Sequence, residues 1–376
     1  MTLGEVEGLV EDGIDLLQEL LQIRSPSGAE GAAVDHLVTW MRRHGFDAQC
    51  DEAGNAVGVL QDVGGDQRST LAHVQAGRAE TRELVLLGHI DTVAGYPPVV
   101  RRDERLYGRG AVDAKGPLAA FATAAVLAGA RPGWRIVVVG AVEEEAATSK
   151  GARAIARSLR PDMVVIGEPT GWQKVALGYK GRLLAELTVA RPMSHRAGPE
   201  ASAPERAIAY WNSVTGSLAQ LNAGRERIWD QVQGTLCGFA SSDDGLEETA
   251  HLQLGFRLPL HVTPEQLKER LRDLANGHRL AFHGEETAFR TEKNTPLVRA
   301  FLGAVRDQGG DPGFVVKTGT SDMNVVGPVW RCPIVAYGPG DSALDHTPEE
   351  HVELAEWRAG VAVLVEVIRR ATSVTL

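Results

Sequence analysis

Five short segments rich in acidic residues and histidine recur along this chain in a fixed order. They are GHIDT at 88–92, GRGAVDAKG at 108–116, VEEEA at 142–146, GEPT at 167–170 and DHTPEE at 345–350. The first three follow or flank hydrophobic runs whose length and β-branched content are typical of buried strands. A chain with this pattern is expected to deliver carboxylates and imidazoles repeatedly to one edge of a sheet.

Strand-like and helix-like segments alternate in the first half of the chain. Hydrophobic runs of strand length lie at 56–60, 84–87, 136–139 and 163–166, and helical patterns lie at 117–127 and 151–159. This alternation predicts an α/β fold with a mostly parallel sheet sandwiched by helices. In such sheets ligands bind beyond the carboxyl ends of the strands, which is where His89, Glu144, Glu145 and Glu168 fall.

The pattern changes after about position 178. Strand patterns at 183–189, 251–258 and 279–284 alternate with helical patterns at 203–221 and 264–276. These predict a compact α+β unit with an antiparallel sheet. Because DHTPEE lies beyond this unit, the unit must be an insertion, and 376 residues suit two domains. We predict a catalytic domain of residues 1–177 plus 290–376 and an inserted domain of residues 178–289.

Two helix boundaries can be predicted from local signals. Ser27 is expected to cap a second helix that runs toward His44, with Glu30 at the capping-box position. The terminal helix is expected to run from Glu350 to about Arg370.

The composition excludes several classes of protein. A formal net charge of −10 argues against nucleic acid or an anionic membrane as the main partner, because phosphate binding needs a basic surface. The N-terminal stretch is acidic, unlike a secretory signal, and no apolar run reaches the ~18 residues of a membrane-spanning helix. The three cysteines lack any CxxC spacing, so neither a disulfide framework nor a thiolate metal site is indicated. We therefore expect a cytoplasmic protein.

Each acidic segment taken alone has an ordinary structural explanation. His89 and Asp91 can be a capped strand-end pair, three adjacent glutamates can be a solvated loop, and His346 can be a surface residue. A dinucleotide-binding loop is disfavoured as the interpretation of GRGAVDAKG, because this segment lacks the GxGxxG spacing. Together, two histidines and three or four carboxylates without cysteine favour zinc, cobalt or manganese. The sequence therefore predicts a metal site.

The order of these segments resembles that of the dinuclear-zinc M20 peptidases and deacylases, over almost the whole chain. That family contains acetylornithine deacetylase, succinyl-diaminopimelate desuccinylase and carboxypeptidase G2. The resemblance implies a zinc-peptidase domain with an inserted ferredoxin-like lid or dimerisation domain. It also implies two divalent metal ions per subunit, zinc or cobalt, and a homodimer formed through the insert.

The resemblance further implies a role for each site residue. The implied metal ligands are Asp113 as the bridge, His89 and Glu168 for one ion, and Glu145 and His346 for the other. Asp91 would orient His89, and Glu144 would be the general base. The distinction between Glu144 as base and Glu145 as ligand depends on the register within three glutamates, of which Glu143 is interpreted as a bystander.

Residues of the insert and of a late loop are implied in substrate binding. His195 matches a lid histidine that would reach the partner subunit's site and stabilise the developing oxyanion. Arg257 would clamp the α-carboxylate of the released amino acid, and Gly319, Thr320 and Ser321 would supply donors near it. A turn histidine and an exposed sheet arginine are the plain alternatives.

Within the family, GRGAVDAKGPL, VEEEAATSKGA and GEPTGWQKVALGYKGR are most similar to a particular group. Its members release lysine or ornithine from the C-terminal γ-glutamyl linkage of a small acidic amino-group carrier protein, in lysine or arginine biosynthesis. We therefore expect a metal-dependent hydrolase of linear amide bonds. N-acetylornithine deacetylation and dipeptide hydrolysis share the metal residues and stay open. A non-catalytic binding protein is disfavoured by the presence of every expected ligand, and a nucleotide-binding oxidoreductase by the lack of a glycine fingerprint.

Overall fold

The computed structural model describes residues 1–62, 81–195 and 197–373. Its helices are α1 (Leu3–Gln22), α2 (Gly31–Arg43), α3 (Lys115–Ala128), α4 (Lys150–Ser158), α5 (Ala203–Leu221), α6 (Pro264–Leu274), α7 (Pro296–Asp307), α8 (Asp322–Trp330) and α9 (Leu354–Ser373). Its strands are β1 (Asp47–Cys50), β2 (Ala56–Gln61), β3 (Arg82–His89), β4 (Val100–Arg102), β5 (Arg105–Tyr107), β6 (Trp134–Ala141), β7 (Met163–Gly167), β8 (Lys174–Tyr179), β9 (Gly181–Pro192), β10 (Gln233–Asp243), β11 (Glu247–Leu258), β12 (Arg279–Glu286), β13 (Phe289–Arg290), β14 (Gly313–Lys317), β15 (Ile334–Ala336) and β16 (His351–Glu353). Among the described helices, none combines the length and apolarity needed to cross a membrane.

The chain divides into two compact units. The first unit comprises Met1–Gly178, Thr291–Val315 and Ser321–Leu376, and the second comprises Tyr179–Arg290 and Val316–Thr320. The first unit is therefore built from discontinuous parts of the chain. The role of the second unit as a lid or dimerisation domain stays a prediction.

The first unit is an α/β fold around a mostly parallel sheet. Seven strands of this sheet lie in the order β1-β2-β6-β3-β7-β15-β8. The central strands β6, β3, β7 and β15 run parallel, whereas β1, β2 and β8 are antiparallel to their neighbours. Residues 84–87 of β3 are fully buried, as expected for a strand covered on both faces. The predicted fold class is confirmed.

α3 lies in the interior of the first unit because its residues are mostly small or apolar. All of them except Val126 are buried, and the helix packs against α1, α9 and β3. Its first residue, Lys115, donates 2.8 Å hydrogen bonds to the carbonyls of Leu20 and Ile23 at the C-terminal end of α1. Carbonyls at the end of a helix lack an N–H donor four residues on, although that of Leu20 also accepts the Ile23 N–H at 3.2 Å. The start of α3, and with it the preceding loop that carries Asp113, is thereby fixed.

The start of α2 differs from the prediction that Ser27 caps it, which was wrong. The residue at the N-cap is Glu30, and it makes no side-chain capping hydrogen bond. The Ser27 hydroxyl instead donates a 2.6 Å hydrogen bond to Asp91 Oδ2. The Thr92 N–H donates to the Ser25 carbonyl at 2.9 Å, which holds this segment against the end of β3. A buried carboxylate is a stronger partner for the hydroxyl than a helical N–H.

The terminal helix also starts later than predicted. α9 begins at Leu354, because residues His351–Glu353 form β16, which is antiparallel to β5. Glu350, the predicted first residue, has a fully buried side chain.

The second unit is an α+β fold with an antiparallel sheet. Its strands lie in the order β10-β11-β9-β12, with α5 between β9 and β10 in the chain and α6 between β11 and β12. This β-α-β-β-α-β arrangement is ferredoxin-like. Burial alternates along β9, because side chains of alternate residues face α5 and the core. The predicted antiparallel α+β insert is confirmed.

Candidate metal centre

Neighbouring parallel strands end at the same level and place predicted ligands at one edge of the sheet. His89, the last residue of β3, pairs in register with Ala141, the last residue of β6. Gly88 pairs with Gly167, the last residue of β7. The glutamate run follows β6 directly, and Glu168 follows β7. The carboxyl ends of these strands therefore bring an imidazole and several carboxylates to one place.

Asp113 and His346 reach this edge from loops. The two carboxylate oxygens of Asp113 each lie 3.1 Å from a histidine Nε2, Oδ1 from that of His89 and Oδ2 from that of His346. His346 Nε2 is also 2.9 Å from Glu145 Oε1, and Glu144 Oε2 is 4.0 Å from His89 Nε2. Asp113 thus faces a different histidine with each oxygen, as a carboxylate shared by two cations would.

The cluster concentrates negative charge where little water reaches it. Burial, with the charges of Asp322 and Glu145, raises the pKa of Glu144 well above its usual range. Burial, with the charges of Glu144 and Asp113, does the same to the pKa of Glu168. Each carboxylate opposes ionisation of the others. Added positive charge would therefore favour ionisation of Glu144 and Glu168.

The histidines respond to the same charge in the opposite direction. Burial alone would lower the pKa of His89, but hydrogen bonds with Asp113 and Asp91 raise it well above its usual value. Hydrogen bonds with Asp113 and Glu145 raise the pKa of His346 to about 10. Although burial opposes it, hydrogen bonds from both histidines hold the pKa of Asp113 below its usual range. The site therefore attracts cations strongly.

The residues of the cluster fit divalent metal ions of the zinc class. Ligand atoms of His89, Asp113 and Glu145 all lie within 4.8 Å of one another. Imidazole and carboxylate are ligands that zinc, cobalt and manganese accept. Metal binding displaces protons from such ligands, so the negative potential that favours protonated histidines also favours metal cations.

Asp91 supports the cluster from its buried side. Its Oδ1 accepts the N–H of Glu144 at 3.1 Å, and its Oδ2 accepts the N–H of Glu145 at 3.0 Å and the Ser27 hydroxyl. Its main-chain oxygen lies 3.0 Å from His89 Nδ1, and its Oδ1 lies 3.5 Å from the same atom. A proton on Nδ1 would leave Nε2 free to bind a cation. One residue thus orients the histidine and both glutamates.

Comparison with known proteins agrees with this geometry. Residues 85–370 match the model of peptidase family M20/M25/M40. The chain belongs to this family. It is 47% identical to the LysW-lysine hydrolase of Deinococcus radiodurans, over 95% of this chain and 96% of that protein.

Two further relatives extend the comparison within the M20 family. A protein of Thermococcus kodakarensis, named as a candidate hydrolase of both LysW-lysine and LysW-ornithine, is 34% identical over 95% of this chain and 92% of its own. The fold is also similar to that of a dinuclear metal binding peptidase of the M20 family from Bacillus subtilis. That similarity has a TM-score of 0.66 at 10% identity, with 98% of this chain and 99% of that chain covered.

Most of the predicted substrate-binding residues lie in the second unit. Arg257 Nη1 donates a 2.8 Å hydrogen bond to Thr320 Oγ1, so these two residues meet, and Gly319 precedes Thr320 in the same segment. His195 is exposed, and its Nδ1 accepts a backbone N–H at 3.3 Å. Ser321 lies in the first unit, where its hydroxyl caps α8. The roles of these residues toward a substrate stay predictions.

Three residues of the first unit that contact or surround the cluster were not among the predicted site residues. Asp322 is 2% exposed, and its charge raises the pKa values of Glu144 and Glu168. Arg109 and Glu350 form a buried ion pair at 2.6 Å. Arg109 lies in GRGAVDAKG, Glu350 lies in DHTPEE, and Asp322 directly follows Ser321 in the chain, which was the available signal. No local rule predicts that two residues 241 positions apart will pair.

Proposed function

We propose that this chain is a metal-dependent amide hydrolase that releases lysine from the C-terminal γ-glutamyl linkage of the carrier protein LysW. The observation that carries the proposal is the meeting of Asp113 with His89, His346 and the glutamates at one sheet edge. The extended similarity to the LysW-lysine hydrolase of Deinococcus radiodurans supports the choice of substrate. The small acidic carrier would be the partner that the enzyme binds.

In this proposal the cluster holds two divalent cations, zinc in the first place and cobalt as a substitute. The ligands would be Asp113 between the ions, His89 and Glu168 on one side, and Glu145 and His346 on the other. Bound cations would supply Lewis acidity toward water and toward the amide carbonyl. Asp91 would keep the His89 ring and the glutamate backbone in position through the contacts described above.

Glu144 would act as the general base. Its side chain is 12% exposed and lies beside His89, and its backbone N–H is held by Asp91. From this place it would take a proton from the attacking water and pass it to the departing amine. His195 of the partner subunit in a homodimer would stabilise the oxyanion, and Arg257 would bind the α-carboxylate of lysine.

Ornithine on the same carrier is a second candidate substrate, because the relative from Thermococcus kodakarensis is named for both. Lysine and ornithine differ by one methylene, so a single pocket can accept both with modest preference. Either reaction would belong to lysine or arginine biosynthesis in the cytoplasm. N-acetylornithine deacetylation uses the same metal residues and is the alternative within the family.

A side-by-side assay tests the proposal. Metal-free protein, prepared by chelation, is given zinc or cobalt and then carrier-linked lysine, carrier-linked ornithine, free N-acetylornithine or a dipeptide. We expect metal-dependent release of lysine from the carrier, followed as the loss of carrier mass by mass spectrometry. Faster hydrolysis of N-acetylornithine would show that carrier-linked lysine is not the preferred substrate. Hydrolysis of none of these amides would overturn the proposal that the chain is an amide hydrolase.

A further inference from the structure

A buried ion pair lies in the first unit, next to the loops that carry two of the proposed ligands. Arg109 is 6% exposed and Glu350 is fully buried, and Arg109 Nη1 lies 2.6 Å from Glu350 Oε2. Burying two charges is costly unless their remaining hydrogen-bonding capacity is also satisfied. The remaining hydrogen bonds of the two side chains therefore indicate which parts of the backbone the ion pair holds in place.

Glu350 holds the loop that carries Asp113. Its Oε1 accepts three backbone N–H groups, those of Gly110 at 2.9 Å, Val112 at 3.1 Å and Asp113 at 3.2 Å. Its main-chain oxygen accepts the N–H of Gly108 at 3.1 Å. The loop is thus folded around one carboxylate, and the backbone position of Asp113 depends on it.

Arg109 holds the backbone of His346. Its Nη2 donates to the His346 carbonyl at 3.3 Å, and its Nε donates to the Gly95 carbonyl at 2.8 Å. His346 has a φ of 62°, in the left-handed region that non-glycine residues rarely adopt. Such a conformation persists only where the surroundings hold it. The guanidinium provides one such contact, and the planar fork lets it reach three acceptors at once.

We infer that Glu350 and Arg109 are positioning residues that act unequally on the two cation sites, an inference that rests on the proposed metal-dependent function. Glu350 fixes Asp113, which both sites share, whereas Arg109 fixes His346, which belongs to one site. Loss of Arg109 should therefore weaken one site, and loss of Glu350 should weaken both. Partners of this kind, behind the ligands, typically change metal affinity by about 10–100-fold.

A second ion pair provides a matched control. Arg105 Nε lies 2.6 Å from Glu353 Oε1, and the two side chains are 45% and 43% exposed. The pair has the same chemistry and joins the same two chain segments, but at the surface of β5 and β16. Removing it tests the loss of an arginine–glutamate pair without the loss of the buried contacts.

The test compares full-length wild type with Arg109→Met, Arg109→Lys, Glu350→Gln and Arg105→Met. Each protein is equilibrated against buffers of graded free zinc, and bound zinc per chain is measured by mass spectrometry of the metal, beside the Tm of the metal-free form. We expect wild type and Arg105→Met to bind two ions alike. Arg109→Met should keep one ion and bind the other about 10–100-fold more weakly, and Glu350→Gln should bind both more weakly.

Arg109→Lys separates positioning from stability. Its ammonium can keep the charge beside Glu350 but cannot also reach the carbonyls of Gly95 and His346. We expect a near-normal Tm for the metal-free variant with one weakened zinc site. Variants that lose Tm but bind zinc as wild type does would overturn the inference. Equal weakening of both zinc sites in Arg109→Met would overturn the inference that Arg109 acts on one site alone. A wild-type protein that binds no divalent metal would overturn both this inference and the proposed function.

Discussion

Replacing Glu144 with glutamine should nearly abolish turnover while both metal ions stay bound. The substitution preserves side-chain size, and the hydrogen bond from the Glu144 N–H to Asp91 does not involve the side chain. It also replaces an acid whose ionisation is opposed by burial and by the neighbouring carboxylates. The metal-free variant is therefore expected to be at least as stable as wild type, so a loss of activity cannot come from unfolding.

The size of the effect follows from the role of the group. A positioned general base contributes about 10²–10⁴-fold to the rate. Glu144 would take a proton in one step and deliver it in the next, so we expect the upper end, about 10⁴-fold in kcat or about 5 kcal/mol in the barrier. Glu145→Gln should behave differently, because Glu145 Oε1 lies 2.9 Å from His346 Nε2 among the proposed ligands. That variant should lose one metal ion.

The neighbouring glutamate supplies the control for this series. The Glu143 side chain accepts a 2.6 Å hydrogen bond from Thr148 and lies 3.6 Å from Lys150 Nζ, partners that are not among the proposed ligands. Glu143→Gln should therefore change kcat by less than about twofold. The assay measures kcat on carrier-linked lysine and the zinc content of the same samples. If Glu144→Gln lost zinc and recovered activity in excess zinc, base and ligand would have to be exchanged.

Two further substitutions test support away from the reacting groups. Asp91→Asn should destabilise the metal-free protein by about 2–4 kcal/mol in urea unfolding. Both Asp91 carboxylate oxygens accept backbone N–H groups, and the amide nitrogen of asparagine cannot accept one. An unchanged free energy of unfolding would contradict this prediction. Lys180→Met in the second unit should lower the free energy of unfolding by about 2 kcal/mol. Lys180 is buried, and its Nζ donates hydrogen bonds of 2.6–2.8 Å to the carbonyls of Ile228 and Gln231 and to the Gln233 side chain. A urea transition for that unit at the wild-type midpoint would show that water replaces these contacts without loss.

The parts of the fold that could be predicted are those whose burial produces a recognisable hydrophobic pattern in the sequence. β3 and β6 are buried on both faces and therefore read as continuous apolar runs. β10 was missed because most of its residues are exposed at the edge of the antiparallel sheet, so they show no alternation. α8 was missed because a short helix containing Pro328 lacks a helical signal.

The candidate site shows a similar limit. The types and order of the proposed ligands could be read from the motifs, but their supporting contacts could not. Ser27 satisfied a local capping rule, yet its hydroxyl pairs with Asp91, 64 positions away in the chain. Glu350 was predicted only as the last residue of a motif and the first of the terminal helix, whereas its three N–H partners lie in a loop about 240 positions earlier. Contacts of this range depend on the folded topology, which short motifs do not contain.

The two buried acids Asp91 and Glu350 divide the support of the cluster between them. Each is fully buried, and each accepts backbone N–H groups, Asp91 from Glu144 and Glu145 and Glu350 from the loop of Asp113. Support through the main chain leaves the side chains of the proposed ligands free to face the cations. It also means that a ligand side chain can be replaced while the loop that presents it stays in place. The glutamine substitutions of Glu144 and Glu145 are therefore expected to report on chemistry at the site, whereas substitution of Asp91 or Glu350 should move the backbone on which that chemistry depends.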